Sequence, residues 1–183
     1  KSYADTASRL SKTLLADATI QAGSAANAID VFNTNSWTRT NLVLVPPALS
    51  ASGDAIKDAQ GATIPSQRLS TGELAFVAAD IPPYAAKRYY ISGAKRTAVS
   101  GEVQIAGNIL DNGVIRVVID PATGAIASIR DNGVDNNFID SAAGGYANDY
   151  LFLHGNNLKD LQRNGQVRIS VKEKGPVLAT LLI

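Results

Sequence analysis

The sequence of 183 residues contains no cysteine, no methionine and a single histidine, His154. Without cysteine, the chain can form neither a disulfide scaffold nor a thiolate nucleophile nor a Cys-based zinc site. Charged residues are also few, at 18% of the chain, and 17 basic side chains stand against 16 acidic ones, for a net charge of +1. This balance, without a basic stripe, argues against nucleic acid as a partner.

Long apolar runs are also missing. No stretch approaches the roughly 20 apolar residues that a membrane span requires, and no N-terminal segment has the charged, apolar and small-residue blocks of a signal peptide. Apolar residues nevertheless make up 45% of the chain, which is typical of a protein that buries a core. We expect a soluble protein without a membrane partner. The sequence leaves the compartment open, and a periplasmic or secreted location is favoured.

The first segment has the apolar spacing of a helix. Its apolar residues recur at intervals of three and four, which places them on one helical face. They are Tyr3, Ala7, Leu10, Leu14 and Ala18. The pattern predicts a helix over 2–21, and Gly23 is a suitable residue to end it. Because everything that follows alternates as strands do, we interpret residues 1–23 as the last helix of a bundle whose other helices lie upstream.

After the helix the apolar period changes to two, and turn residues interrupt the pattern about every 8 to 12 positions, as in antiparallel sandwiches and barrels. The predicted fold class is therefore mainly β, with antiparallel β-sandwich units preceded by one α-helix. A tight hairpin is predicted at 120–124, where Pro121 presets one turn angle and Gly124 accepts a positive φ. The predicted strands are 29–33, 36–45, 55–59, 62–69, 73–79, 86–92, 101–109, 113–119, 124–130, 148–154, 166–172 and 176–183.

A segment without apolar alternation, near 92–100, predicts a boundary between a β domain at 24–95 and a second β domain at 96–183. The final run, 177–183, is an apolar strand without a polar tail, and unpaired apolar edges aggregate. Together with the missing methionine, this run leads us to expect an excerpt of a longer chain that continues beyond Ile183.

His154 is the first candidate for chemistry. With one histidine and no cysteine, a zinc site would have to be rich in carboxylates, which is uncommon. We therefore interpret His154 as a structural or surface residue rather than as a catalytic or metal-binding one.

A group of acidic residues is the second candidate: Asp131, Asp135, Asp140 and Asp149. Paired carboxylates catalyse glycoside hydrolysis when they lie roughly 5–10 Å apart across a sugar, but closeness in sequence does not establish that distance. The run beginning at Asp131 also departs from a calcium loop, which requires glycine at its sixth position, where Asn136 stands. Turn formation is the favoured interpretation of these aspartates.

A group of aromatic residues could form a platform for sugar stacking, since their faces are apolar and their rims polar. The alternative is that they are core and corner residues of the sandwich. The residues concerned are Trp37, Tyr84, Tyr89, Tyr90, Tyr146 and Tyr150. No nucleophile elbow, phosphate loop or dinucleotide fingerprint occurs. The residues alone therefore predict no catalytic, cofactor-binding or metal-ligating side chain in this stretch.

A set of short blocks, in a fixed order, resembles the β-region of family-38 α-mannosidases. The first block resembles the run that follows the three-helix bundle of that family, and the others resemble its later runs in the same order. They are 31–40 (VFNTNSWTRT), 64–67 (IPSQ), 74–84 (LAFVAADIPPY), 110–117 (LDNGVIRV), 120–126 (DPATGAI) and 173–177 (EKGPV). The chain departs from the pattern at 84–86, where relatives usually carry glycine, and at 114–115, where an aromatic residue is common.

The resemblance implies that 24–95 is the small β-sandwich of such an enzyme and that 96–183 begins its large supersandwich, of the galactose mutarotase-like type. The parent would be a retaining glycoside hydrolase acting on α-mannosides, with an aspartate nucleophile, a second carboxylate as acid and a zinc ion held by His and Asp. In the family all of these residues lie upstream, so none is assigned to this chain. This stretch alone is expected to be inactive.

The partners implied by the resemblance are the catalytic and helical domains of the parent, together with its α-mannoside substrate. A zinc ion is expected only in the upstream catalytic domain. Two other functions stay open: a stand-alone carbohydrate-binding β-sandwich module, and a structural domain of the adhesion type.

Overall fold

The computed structural model describes residues 2–19, 27–93, 103–141 and 145–183. In this part the chain is mainly β, with antiparallel sheets and a single N-terminal α-helix, so the predicted fold class is confirmed. The helix is α1 (Ser2–Thr19), and the strands are β1 (Ala28–Phe32), β2 (Arg39–Val45), β3 (Ala55–Asp58), β4 (Thr63–Ile64), β5 (Ser66–Arg68), β6 (Leu74–Ile81), β7 (Ala86–Ser92), β8 (Gln104–Ala106), β9 (Ile109–Asp111), β10 (Ile115–Ile119), β11 (Ile126–Asp131), β12 (Leu151–Leu153), β13 (Leu161–Arg163), β14 (Ser170–Lys174) and β15 (Ala179–Leu182).

Helix α1 forms where the spacing predicted it. On its predicted apolar face, Tyr3, Leu10 and Leu14 are all exposed, so this face is not buried against the sheets. In the described residues no helix combines the length and the apolar character that a membrane crossing needs. The last two residues of the predicted helix and its suggested end, Gly23, lie outside the described residues.

Two sheets form a small sandwich over 28–92. One sheet has the strand order β1-β7-β3-β4 and the other the order β2-β6-β5. The inward residues of both sheets make one apolar core: Val45, Ile56, Leu74, Phe76, Ala78, Ile81, Tyr89 and Ile91. Within this core the rings of Phe76 and Tyr89 pack with their centroids 4.8 Å apart and their planes tilted by 60°. Such an arrangement is a favourable geometry for two aromatic rings.

The predicted strand 62–69 is wrong as a single element, because Pro65 divides it. Before the proline, β4 pairs with β3 in one sheet; after it, β5 pairs with β6 in the other. Proline has no N–H to give to a ladder, so it suits the point where the chain changes sheets. β5 reaches β6 only over 74–76. Among the described residues, the second half of β6 therefore has no partner strand on that side.

Further along, the strand order β11-β10-β9-β8 makes another antiparallel sheet, and β12-β13 and β14-β15 are two-stranded. The predicted strand 101–109 is wrong where the structure describes it, because β8 and β9 form a hairpin that turns at Gly107. Gly107 has a φ of 61°, which glycine adopts at no steric cost. The short strand β13 was not predicted. It pairs with β12 after a turn of 3-10 helix at Leu158–Asp160.

The hairpin predicted at 120–124 is confirmed. Asp120 Oδ1 accepts hydrogen bonds from the N–H groups of Ala122 (3.0 Å) and Thr123 (2.8 Å) and from the Thr123 hydroxyl (2.9 Å). Gly124 follows with a φ of 75°. These bonds hold the pKa of Asp120 below its ordinary value. The predicted domain boundaries, at 23/24 and 95/96, lie outside the described residues.

Candidate functional site

His154 lies exposed just after β12. Its ring is a neighbour of Phe152, with ring centroids 6.3 Å apart. Across the described part of the chain, no three histidine, aspartate or glutamate side chains come together as a metal ion would require. The donor set of these residues therefore does not fit a catalytic zinc ion.

Two members of the aspartate group, Asp131 and Asp149, have local structural roles. Asp131 Oδ1 accepts the N–H of Gly133 at 2.7 Å, which makes it the first residue of a turn. The side chain of Asp149 is 7% exposed and lies 3.2 Å from Arg163 in an ion pair. Turn formation is thus supported for Asp131, and Asp149 is a buried charge held by an arginine of β13.

The aromatic candidates do not share one surface. Tyr89 lies in the sandwich core, whereas Tyr146 and Tyr150 belong to the segment before β12. Trp37 is 61% exposed and Tyr84 75% exposed, and both lie on loops at one end of the small sandwich. Tyr146 and Tyr150 are exposed as well, but on a different segment, so Trp37 and Tyr84 are the pair of exposed rings that the small sandwich offers for the predicted platform.

Asn33 joins the two loops that carry those rings. It is 4% exposed, and its Nδ2 donates to the carbonyls of Trp37 (2.7 Å), Ile81 (3.0 Å) and Pro82 (3.0 Å). The Asn33 N–H also donates to the carbonyl of Ala85 at 2.8 Å. A buried amide with its hydrogen bonds satisfied fixes the surrounding backbone, so the conspicuous VFNTNSW run serves to hold this end of the sandwich.

Tyr84 has a φ of 49°, in the left-handed region. Residues other than glycine adopt this conformation at a cost of about 1 kcal/mol or more. The departure from glycine noted at 84–86 therefore includes a position where the backbone favours glycine.

A groove opens beside the unpaired half of β6, where the chain changes sheets at Pro65. Its volume is about 360 Å³, near the lower end of the range of ligand sites. Apolar and charged side chains both line it: Asp58, Ala59, Gln60, Ile64, Val77, Ala79, Asp80, Ala86, Lys87, Arg88 and Tyr89. Sequence reasoning missed this groove because its lining comes from strands of both sheets.

Several hydrogen bonds fix the charged groups of the groove. Lys87 Nζ donates to the carbonyl of Ala79 at 2.9 Å, across the gap between the sheets. Arg88 donates two bonds to Asp30, at 2.8 and 2.7 Å, and this guanidinium holds the pKa of Asp30 below its ordinary value. Burial raises the pKa of Tyr89, and the negative charge of Asp58 adds to that effect.

A second polar cluster joins the small sandwich to the segment around β14 and β15; we call it the seam, and it comprises Gln67, Ser70, Glu173, Gly175, Val177 and Leu178. Gln67 is 2% exposed. Its Nε2 donates to the carbonyl of Leu178 at 3.0 Å, and its Oε1 accepts the N–H groups of Val177 at 3.3 Å and Leu178 at 3.0 Å. The carboxamide of Gln67 thus pairs with the backbone as a neighbouring strand would.

Glu173 completes the seam from β14. Its Oε1 accepts the N–H of Ser70 at 3.0 Å and also the Ser70 hydroxyl. These bonds hold the pKa of Glu173 below its ordinary value. At Gly175 a Cβ atom would overlap the carboxamide of Gln67, so only glycine fits without a shift. The hydrogen bonds of the seam thus join the small sandwich to the backbone and side chains of the β14–β15 segment.

Comparisons with known protein families, with curated proteins and with solved structures gave no match to this chain. The functional assignment therefore rests on the sequence motifs, the seam and the groove.

Proposed function

We propose that this chain is a non-catalytic C-terminal β-region of an α-mannosidase-type glycoside hydrolase. The parent enzyme would act on α-mannosides by a retaining, zinc-dependent mechanism. By the same resemblance, its zinc ion and catalytic carboxylates would lie in an upstream domain. The role of this chain would be to support that domain.

The observation that carries the proposal is the seam. Two of the blocks that resemble the family, 64–67 and 173–177, are separated by more than 100 residues but meet where Gln67 Oε1 accepts the N–H of Val177; Glu173 bonds to Ser70 close to the first block. Within the seam, Gln67 and Glu173 bond to backbone groups, and Gly175 lies against the Gln67 carboxamide. Motif residues that hold a fold together are what a supporting domain needs, whereas a catalytic domain would place them around a substrate.

Exposed apolar side chains give further support. Leu10 and Leu14 of α1, and Leu151 and Phe152 of β12, are about half exposed or more. Apolar surface that is grouped on one element marks sites where other protein surfaces dock. We propose that these faces pack against the helical and catalytic domains of the parent.

Two experiments test this assignment. The 183-residue chain, incubated with an aryl α-mannoside and zinc, should release no aryl alcohol, and zinc-dependent hydrolysis would overturn the proposal. Sequencing of the coding region on both sides of this stretch should reveal an upstream α/β domain with His and Asp zinc ligands. A coding region that lacks such a domain would equally contradict it.

A stand-alone carbohydrate-binding module is the second candidate, and the exposed rings of Trp37 and Tyr84 favour it. Trp37 is the one tryptophan of the chain, so its fluorescence reports on this end of the sandwich. Titration with mannose oligosaccharides should give a saturable change if the module interpretation is right. The absence of any saturable change would count against it.

A further inference from the structure

We propose that the groove beside β6 binds a neutral pyranoside, as one sugar ring with its hydroxyl groups. Neither candidate function assigns a ligand to this groove, and a supporting role for the chain requires none. The inference therefore extends both candidates with a binding site of stated chemistry, on the small sandwich itself.

The size of the groove selects a small ligand. Its volume of about 360 Å³ suits a compact molecule, since small-molecule sites span about 300–1,000 Å³. Specific protein interfaces need far larger surfaces, on the order of 800 Å² from each partner. A single small ring is thus a better occupant than a second protein.

The charges of the groove favour a neutral, polyhydroxylated ligand. Lys87 and Arg88 line it together with Asp58 and Asp80, and Arg88 is bonded to Asp30. Because Asp30 pairs with Arg88, an anion would meet the carboxylates of Asp58 and Asp80, and a cation would meet the ammonium group of Lys87. Hydroxyl groups donate and accept hydrogen bonds, so a sugar can bond to carboxylates and to an ammonium group at once.

The fold holds two of these groups, Lys87 and Asp58, in fixed positions from which they can bond to a ligand. Lys87 is held across the gap by one bond to Ala79, and an ammonium group has three hydrogens to donate. Asp58 Oδ1 accepts the N–H groups of Gln60 (3.0 Å) and Ala62 (2.8 Å), which fixes the carboxylate at the β3–β4 turn. Side chains fixed before binding lose little conformational freedom when a ligand arrives.

Apolar side chains supply the remaining contact. Ile64 and Val77 line the groove beside the charged groups, next to Tyr89, which is only 3% exposed. A pyranose ring has C–H groups on its faces, which lose exposure to water when they pack on apolar side chains. Pockets that combine an apolar lining with a few fixed polar groups are typical of small-molecule sites.

Titration of the 15N-labelled chain with methyl α-mannoside, methyl α-glucoside and inorganic phosphate, followed by NMR, tests the proposal. We expect saturable shifts of the Val77, Ala79 and Lys87 amide signals with at least one glycoside and none with phosphate. Lys87→Met keeps the aliphatic stem but removes the donors, and should weaken binding about 10-fold, the effect of one hydrogen bond to a charged group.

Lys57→Met is the matched control, since Lys57 is an exposed residue of β3 and does not line the groove. Its affinity should equal that of the wild type. Val77→Tyr is a second variant, which fills the groove from a partly exposed position outside the core and should abolish binding. Phosphate binding without sugar binding, no saturable shift with either glycoside, or full affinity in Val77→Tyr would overturn the proposal. None of these outcomes would alter the proposed supporting role, which the coding region and the turnover assay test.

Discussion

Gln67 joins two distant parts of the chain through one buried carboxamide. Its bonds to Val177 and Leu178 satisfy two backbone N–H groups and one carbonyl. Removing a hydrogen-bond partner from buried backbone groups costs more than the net value of the bonds, because those groups lose both the partner and water. The position is therefore sensitive to substitution.

We predict that Gln67→Ala lowers the free energy of unfolding by about 2–3 kcal/mol. Gly175→Ala should lower it by about 1–3 kcal/mol, because the new Cβ meets the Gln67 carboxamide in a packed interface. The double variant should lose less than the sum of the two, since Gln67→Ala removes the group that the Cβ meets. Urea denaturation of the four proteins measures this coupling.

Gln104→Ala serves as the control for this cycle, because Gln104 is an exposed residue of β8. It should change the free energy of unfolding by less than about 0.5 kcal/mol. Strict additivity of Gln67→Ala and Gly175→Ala would show that the two residues do not meet as described.

The sequence identifies individual residues such as Asn33 and Gln67 as important, but it does not reveal the contacts that make them so. The run around Asn33 and the block ending at Gln67 both stand out by their resemblance to a family. Their burial does not follow from the pattern, because asparagine and glutamine are mostly exposed in proteins. A polar side chain is buried when backbone groups from distant segments surround it, and only the tertiary structure brings those segments together.

Strand β14 is tied to the small sandwich by the carboxylate of Glu173. Its bonds to Ser70 hold the pKa of Glu173 below 4.5, its ordinary value, and the nearby Lys172 adds to the effect. A carboxyl group whose pKa is lower in the folded state stabilises the protein above its unfolded pKa. That stabilisation is lost as the pH falls below 4.5 and through the folded pKa.

We predict that Glu173→Gln is less stable than the wild type at pH 7 and that the difference shrinks as the pH falls below 4.5. Urea denaturation between pH 7 and pH 2.5 measures it. Asp120→Asn is a useful comparison, since the pKa of Asp120 is also lowered, but by bonds to Thr123 in a hairpin. Both variants should lose their deficit in acid, while Glu173→Gln alone should shift the NMR signal of the Ser70 amide. A Glu173→Gln deficit that stays constant down to pH 2.5 would refute the role of this charge.

Most strands followed from their alternation, and the errors have local causes. Pro65 stands inside the predicted strand 62–69, and a proline, which has no N–H to give to the ladder, breaks a strand at that point. Gly107 stands inside the predicted strand 101–109, and glycine within a strand often marks a turn or bulge. The three residues of β13 are too short a segment for a period of two to be recognised.

In the tertiary structure, the groove and the seam are each formed by segments that come from different parts of the sequence. The groove exists because the chain changes sheets at Pro65 and leaves half of β6 without a neighbour. The seam exists because a glutamine of β5 meets the backbone just before β15. Periodicity predicts elements and their buried faces, but it carries no information on which elements meet. Sequence reasoning therefore reached the fold class and not these sites.

The seam should also make the sandwich and the β14–β15 segment open together. We predict that the Leu178 amide, which donates to Gln67, exchanges with solvent through the same opening as the amide of the core residue Phe76. In Gln67→Ala the Leu178 amide should exchange about 10- to 100-fold faster relative to Phe76, because losing its acceptor permits a local opening. Native-state hydrogen exchange by NMR measures both amides, with Gln104→Ala as the control that leaves their ratio unchanged. Equal acceleration of both amides in Gln67→Ala would mean that the variant weakens the fold as a whole. An unprotected Leu178 amide in the wild type would show that the seam does not couple the two segments.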